Sequence, residues 1–133
     1  MKYRLPKGVV AVRVAELRQT EKFSEPRVEW LIAKIKREGV WSNPVGLDDK
    51  HNLVLDGHHR VEAARRLKFG WIPAMRFEYA KVKLYSRRKR YKVTWRMVVA
   101  KALAGEVYPY KTTRHVFPVE LPVLEIPISK LRR

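Results

Sequence analysis

Hydrophobic positions along this chain switch between a period of two and a period of about 3.6 residues, which predicts alternating strands and helices. The β-branched residues of 8–17 predict a first strand. A helix is then expected from Ser24 to Gly39, because Ser24 can cap it and Pro26 suits its first turn. The apolar positions of this helix recur at helical spacing and are Val28, Leu31, Ile32 and Ile35.

The central part of the chain predicts two short strands and a second helix. The apolar runs 43–47 and 53–55 indicate the strands, and the polar residues 48–52 indicate a turn between them. The second helix is predicted over 61–67, where alanine and leucine share one face. The polar pentapeptide Asp56-Gly57-His58-His59-Arg60 therefore lies at a junction between a buried strand and a helix.

The C-terminal half predicts a strand, a basic segment, a helix and an extended arm. Residues 70–79 have the pattern of a strand, and the basic segment 81–96 leads into a helix that ends at Gly105. Residues 108–115 do not suit a regular helix, and the proline-rich 118–131 suits an edge strand or an extended arm. The whole chain 1–133 is thus expected to form one α+β or α/β domain.

Composition narrows the possible partners and excludes several kinds of chemistry. The chain has 133 residues, with 30 Lys and Arg against 13 Asp and Glu, and its net charge of +17 favours polyanionic partners. The absence of cysteine excludes disulfides, thiolate zinc sites and cysteine-based catalysis. No apolar run is long enough to span a membrane, and no secretory signal begins the sequence. We therefore expect a cytoplasmic protein. The chain has only one Gln and two Asn but 32% charged residues, and this combination of few thermolabile and many charged residues is typical of proteins from thermophiles.

The pentapeptide 56–60 is the strongest candidate for chemistry. A strand–glycine–helix junction presents free N–H groups and the positive end of the helix dipole, which together attract phosphate. Gly57 permits close approach of a ligand, and Arg60 can bind phosphate with two hydrogen bonds. His58 and His59 add further hydrogen-bond donors. Asp56 can hold Mg²⁺ or a hydroxyl group. The alternative is a helix capped by Asp56 with surface histidines. Zinc is disfavoured, because adjacent histidines do not easily face one metal.

Two further candidates lie far from the pentapeptide in sequence. The segment Lys111-Thr112-Thr113-Arg114-His115 combines hydroxyls, cations and an imidazole that can clamp an anionic or zwitterionic ligand; the alternative is a solvated loop. Glu21 precedes the first helix in a chain poor in acids, and it can act as a general base; the alternative is an ordinary surface glutamate.

The basic and aromatic residues have structural as well as functional interpretations. The run 87–92 can follow a nucleic-acid backbone while Tyr85 or Tyr91 stacks on bases, or it can form a solvated basic hairpin. The tryptophans are expected in the core or in a pocket wall, and they are Trp30, Trp41, Trp71 and Trp95.

The stretch 53–67 resembles the ParB/sulfiredoxin-like superfamily, as does the preceding unit from Gly39 to Val45. Within it, the pentapeptide 56–60 is similar to that of the archaeal free-serine kinases rather than the nucleic-acid-binding ParB branch. Those kinases also have a Lys-Thr-Thr-Arg-His-like segment, here 111–115, and a glutamate before the first helix, here Glu21. The chain departs from them by having Thr20 where a histidine is expected, and by having only the basic 81–96 where they carry a longer stretch.

The resemblance implies a ParB/sulfiredoxin-like mixed sheet with flanking helices and a kinase that phosphorylates L-serine with ATP or ADP and Mg²⁺. It implies that residues 56–60 bind the nucleotide phosphates, with Asp56 near the Mg²⁺, and that Glu21 is the catalytic base. Residues 111–115 would bind serine, within a substrate segment at 108–131. A ParB-like nucleic-acid-binding protein or nuclease is the main alternative, and a nucleotide sensor without turnover is another. A monomer or small homo-oligomer is expected.

Overall fold

The fold combines eight strands and three helices in the computed structural model, which describes residues 4–90 and 92–132. The strands are β1 (Val10–Arg13), β2 (Val40–Trp41), β3 (Val45–Asp48), β4 (Val54–Asp56), β5 (Trp71–Phe77), β6 (Lys83–Ser86), β7 (Thr113–Val116) and β8 (Ile126–Pro127). The helices are α1 (Glu25–Glu38), α2 (His58–Arg66) and α3 (Trp95–Leu103).

Four of these strands form a mixed sheet in the order β1–β5–β3–β4. β5 is antiparallel to β1 and parallel to β3, and β4 returns antiparallel to β3. Two antiparallel pairs, β2–β8 and β6–β7, complete the strand pairing. The mixed sheet with flanking helices confirms the predicted α+β class in a single compact domain.

Two hydrophobic clusters hold these layers together. The larger one joins the sheet to α1 and α2 through fully buried side chains such as Val28, Val61 and Ile72. The smaller one joins the sheet to α3 through Leu53, Tyr79 and Val98, among others. Because each fully buried aliphatic side chain stabilises the fold by about 1.5–3 kcal/mol, these clusters fix the elements that carry the polar residues described below.

The first helix lies where the sequence predicts it, but its capping differs. Gly39 ends α1 with a φ of 70°, a backbone conformation that suits glycine. Ser24 is the residue before the helix, yet its side chain accepts no capping hydrogen bond. Instead, its backbone N–H donates to Nε2 of His59 at 3.0 Å. Glu25 forms two hydrogen bonds with Arg66, which ties the start of α1 to α2.

Two boundaries differ from the prediction for physical reasons. The first strand is shorter than 8–17, because its antiparallel partner β5 begins at Trp71, opposite Arg13, and the chain then makes a 3₁₀ turn at Val14–Glu16. The second helix begins at His58 rather than at residue 61, because Gly57 alone makes the turn with a φ of 103°. Gly57, and not Asp56, is therefore the residue that precedes the helix.

The C-terminal arm and the basic segment follow their predictions closely. The arm is extended, pairs with β2 through β8, and buries Leu124, Ile126 and Leu131. The basic segment forms β6 and a turn before α3. Tyr91, one of the two tyrosines that the sequence offers for base stacking, lies outside the described residues. In the described part of the chain, no helix is long and apolar enough to cross a membrane.

Candidate active site

A cleft of about 680 Å³ brings together the separate segments that the sequence singles out. Its walls come from α1, from the β4–α2 junction, from the chain just after β6, and from the segment that leads into β7. The predicted residues that line it are Glu21, Asp56, Gly57, His58, His59, Arg60, Lys111, Thr113, Arg114 and His115. Residues more than 90 positions apart in sequence thus share one cleft.

The junction at Gly57 leaves no room for a side chain. A Cβ atom there would lie 2.7 Å from Cγ1 of Val45 and 3.0 Å from Nη2 of Arg60. Glycine is therefore the residue type that fits between β4 and α2. The N–H groups of the first helical turn have no acceptor within the helix. These N–H groups and the helix dipole are suited to bind phosphate.

His58 faces the interior of the junction, where it contacts Thr20. The Thr20 hydroxyl donates to the Val54 carbonyl at 2.9 Å, and it lies 2.9 Å from Nε2 of His58. Because a hydroxyl has only one proton to donate, Nε2 of His58 carries the proton of the second hydrogen bond. Burial, and secondarily the nearby His115 and His59 rings, lower the pKa of His58 to about 3. His58 is therefore neutral, and Thr20 fixes its tautomer.

His59 is also anchored within the protein. Its Nε2 accepts the hydrogen bond from Ser24, and its ring meets Tyr110 edge to face, with the centroids 5.6 Å apart. Burial and the charge of Arg27 lower the pKa of His59. The sequence predicts both histidines as phosphate donors, but each uses one ring nitrogen to hold the cleft walls together.

Arg60 is largely occupied by partners within the protein. Its Nη1 donates to the carbonyls of Asn43 and Pro44 at 2.8 and 3.1 Å, and its Nη2 lies 3.3 Å from Oδ2 of Asp56. Arg60 thus joins the start of β3 to the β4–α2 junction. Its remaining N–H groups are the ones that can contact a ligand.

Glu21 is buried at the base of the cleft and accepts four hydrogen bonds from 111–113. Oε1 accepts the N–H groups of Thr112 and Thr113 and the Thr113 hydroxyl, at 2.8–3.1 Å. Among the residues that the structure describes, Oε2 accepts one hydrogen bond, from the N–H of Lys111 at 3.2 Å. Glu21 is therefore not an ordinary surface glutamate: it holds this segment in place and keeps one oxygen less occupied.

Thr112 is the one predicted site residue that does not line the cleft. It is fully buried, and its hydroxyl donates to the Pro109 carbonyl at 2.7 Å. Thr113 and His115 share one face of β7, and Arg114 lies on the other face at the cleft edge, since side chains alternate along a strand. Lys111 packs its ammonium group 5.4 Å from the centre of the Tyr110 ring.

His115 presents a buried nitrogen in this wall. Its Nε2 lies 2.6 Å from the Tyr79 hydroxyl, its Nδ1 is buried, and the ring also interacts with the backbone of Leu55. Burial lowers the pKa of His115 to about 4 and raises the pKa of Tyr79, so both groups are uncharged at neutral pH. The contact with Tyr79 thus holds the His115 ring in place in the cleft wall.

The wall formed by α1 includes two cations, Arg27 and Lys34, that sequence reasoning missed. Arg27, Trp30 and Lys34 line the cleft, and both cations lie within 6 Å of the centre of the Trp30 ring. Trp30 is 54% exposed, so of the two expected positions, core or pocket wall, it occupies the pocket wall. A tryptophan on the polar face of an amphipathic helix is the signal that indicates this wall.

The residues present suit Mg²⁺ only with help from a ligand. No group of three or more metal-binding side chains occurs within 4–90 and 92–132. Asp56 is a half-exposed carboxylate in the cleft, beside Arg60. Because Mg²⁺ in phosphate-transfer sites is commonly held by one or two carboxylates together with substrate phosphates and water, Asp56 fits that arrangement but not a cage of protein ligands.

Comparison with solved structures shows which known proteins share this fold. A free serine kinase solved in complex with AMP matches with a TM-score of 0.86 at 16% identity, over 98% of both chains. This chain has the fold of that kinase. A C-terminally truncated SbnI from Staphylococcus aureus also matches, with a TM-score of 0.85 at 12% identity over 96% of this chain and 90% of that one. The fold implied by the ParB/sulfiredoxin-like resemblance is thereby confirmed.

Sequence similarity gives a more limited match. The ATP-dependent L-serine kinase of Staphylothermus marinus is 34% identical over 89 residues. The match covers 57% of this chain and 35% of that relative, so this chain corresponds to about a third of its length. No protein-family model matches the chain.

Proposed function

We propose that this protein is a kinase that transfers the terminal phosphate of ATP or ADP to the hydroxyl of free L-serine, which yields O-phosphoserine. The observation that carries the proposal is the single cleft that joins the 56–60 junction, Glu21 and the segment 111–115. The similar L-serine kinase of Staphylothermus marinus supports the reaction, and its description as ATP-dependent favours ATP as the donor.

The nucleotide phosphates bind at the start of α2 in this proposal. The N–H groups of the first helical turn, the helix dipole and the free N–H groups of Arg60 supply the positive potential. Gly57 makes the turn that starts α2 beside the cleft, and no residue with a side chain fits there against Val45. The exposed ring of Trp30 offers a surface on which the base can stack.

Serine binds at the opposite end of the cleft, beside the start of β7. Arg114 pairs with its carboxylate, since a guanidinium matches a carboxylate with two parallel hydrogen bonds. The ring of His115 lines the cleft beside this pair, although its Nδ1 is buried. Tyr79 acts as a positioning residue, because its hydroxyl holds the other ring nitrogen of His115.

Glu21 accepts the proton of the serine hydroxyl through Oε2, its less occupied oxygen. As the proton leaves, the serine oxygen forms a bond to the terminal phosphorus and the bond from that phosphorus to the nucleotide breaks. The four hydrogen bonds from 111–113 keep the carboxylate in place. Phosphoryl transfer depends mainly on such alignment and on positive charge around the phosphate.

Magnesium belongs to the proposal as a partner of the nucleotide. Asp56 would hold it together with the phosphates, and the ion would neutralise charge on them. The adjacent Nη2 of Arg60 keeps the Asp56 carboxylate oriented toward the junction.

The acceptor is tested by incubating the protein with ATP and one amino acid at a time, followed by mass spectrometry of the amino acid. We expect phosphoserine from L-serine and little product from L-threonine or D-serine. The Arg114→Ala variant should raise the KM for serine about tenfold or more, as expected for the loss of a charge-assisted pair. An exposed control, Lys36→Ala on α1, should leave that KM unchanged. Release of inorganic phosphate at the same rate with or without serine would contradict the proposal.

A further inference from the structure

The basic segment after β6 contributes one residue to the cleft. Residues 87–90 are four consecutive cations, and Arg87 alone among them lines the cleft in the part of the chain that the structure describes. Arg88 instead donates from its Nη2 to the Tyr110 carbonyl at 2.6 Å. Lys89 and Arg90 are exposed to solvent. The segment therefore does not act only as a solvated basic hairpin.

The backbone of Arg87 is fixed relative to the candidate catalytic carboxylate. Its N–H donates to the Thr112 carbonyl at 2.8 Å, and the Thr112 N–H donates in turn to Oε1 of Glu21. The neighbouring Ser86 pairs with Thr113 in the β6–β7 ladder. Arg87 thus enters the cleft next to the end where serine and the terminal phosphate would meet.

The side chain of Arg87 has its hydrogen-bonding capacity available. Among the described residues, its guanidinium has no ion pair or hydrogen bond, whereas Arg60 uses Nη1 on two carbonyls and has Nη2 beside Asp56. An unpaired guanidinium that lines a cleft can bind an anion without first breaking an internal contact. Its planar set of donors matches phosphate oxygens.

We propose that Arg87 binds the terminal phosphate of the nucleotide, opposite the contacts made by the start of α2. This inference rests on the proposed function, because it requires a nucleotide in the cleft. Arg87 would supply an unpaired positive charge, which Arg60, held by Asn43 and Pro44, supplies only in part. Because it enters beside Thr112 and Glu21, its contact should depend on phosphates beyond the first.

The test is calorimetric titration of AMP, ADP and ATP, without serine, into the wild type and three variants. Arg87→Ala should weaken ATP and ADP binding by about tenfold or more, which is the usual scale for losing a charge-assisted contact, and AMP binding by less than about threefold. Arg87→Lys should recover part of the loss. The matched control Arg90→Ala removes the same charge outside the cleft, and it should change each affinity by less than about twofold.

The outcomes separate this inference from the function it rests on. Equal losses for AMP and ATP in Arg87→Ala, or equal losses in Arg87→Ala and Arg90→Ala, would overturn the inference while leaving nucleotide binding intact. A wild-type protein that binds none of the three nucleotides would overturn the proposed function itself. Thermal unfolding of each variant checks that the fold is retained, as expected for an exposed side chain.

Discussion

Oε1 of Glu21 accepts both the backbone N–H and the hydroxyl of Thr113, at 2.8 and 2.9 Å, although the two residues are 92 positions apart. Together with the N–H groups of Lys111 and Thr112, these contacts connect the segment before α1 to the segment before β7. The backbone continues the connection, because Lys22 donates to the Tyr108 carbonyl and Tyr108 donates to the Thr20 carbonyl. The Glu21 carboxylate thus lies at the floor of the cleft and also holds one of its walls in place.

Glu21→Gln should lower kcat by at least about 100-fold, the lower end of what a positioned general base contributes. The amide has a single acceptor oxygen, so it also cannot satisfy all four donors of 111–113. We therefore expect a lower free energy of unfolding as well. Steady-state kinetics and urea unfolding measure the two effects separately.

The matched control for that variant is Glu16→Gln, an exposed glutamate outside the cleft, which should change neither quantity. If Glu21→Gln loses stability but keeps kcat within about threefold of the wild type, Glu21 only positions the segment and the assignment as base is wrong.

Gly57→Ala should destabilise the protein by about 1–3 kcal/mol and weaken nucleotide binding. The φ of 103° is unfavourable for alanine, and the new methyl group would lie 2.7 Å from Val45. Gly39→Ala is the control, because its φ of 70° imposes strain but nothing lies within 4 Å of the new methyl group. Gly39→Ala should therefore lower stability with nucleotide affinity unchanged. Equal nucleotide affinity in both variants would contradict the role of the Gly57 junction.

Stability should fall as the pH is lowered from neutrality. The pKa values of His58 and His115 are lowered in the folded state to about 3 and about 4, from 6.5. At a pH between these folded-state pKa values and 6.5, the two histidines bind more protons in the unfolded chain than in the folded protein. The free energy of unfolding therefore rises with pH over this range, and the stabilisation is complete above pH 6.5. Urea unfolding at about pH 7 and about pH 5 measures the slope. His115→Gln should reduce this slope, and an unchanged slope would show that His115 does not titrate as described.

The secondary structure and the strongest site motif were predictable because their signals are local. The helical spacing of Val28 and Ile35 gives α1, and a glycine between a buried strand and an alanine-rich helix gives the β4–α2 junction. The ends of the elements were less predictable. The strand β1 ends opposite Trp71, where its partner β5 begins, and the sequence of β1 alone does not show which residues it pairs with.

The assembly of the cleft was predictable only in its parts. The resemblance to free-serine kinases indicated Glu21 and 111–115, but the hydrogen bonds that join them depend on irregular segments with no periodic signal. The burial of Thr112 could not be predicted for this reason, because nothing in the sequence shows that its hydroxyl donates to the Pro109 carbonyl. Arg87 could be recognised as part of a basic run, but the sequence does not show that it lines the cleft and bonds to Thr112, which distinguishes it from Arg90.

Binding to nucleic acid tests the main alternative function. The net charge of +17 and the exposed cations at 88–90 should give weak, sequence-independent binding that is lost as salt increases. Fluorescence anisotropy with a labelled DNA duplex, titrated at several salt concentrations, measures this dependence. Tight binding that persists at about 0.2 M salt would favour the nucleic-acid function over the kinase.

The most direct test of the account is ³¹P NMR of the protein with Mg²⁺ and L-serine, run in parallel with ATP and with ADP. The account predicts a phosphoserine resonance that grows as the terminal phosphate resonance of the donor declines, and the sample in which it grows identifies the donor. Two spectra that stay unchanged with folded protein would contradict the assignment of the cleft as a site of phosphate transfer to serine.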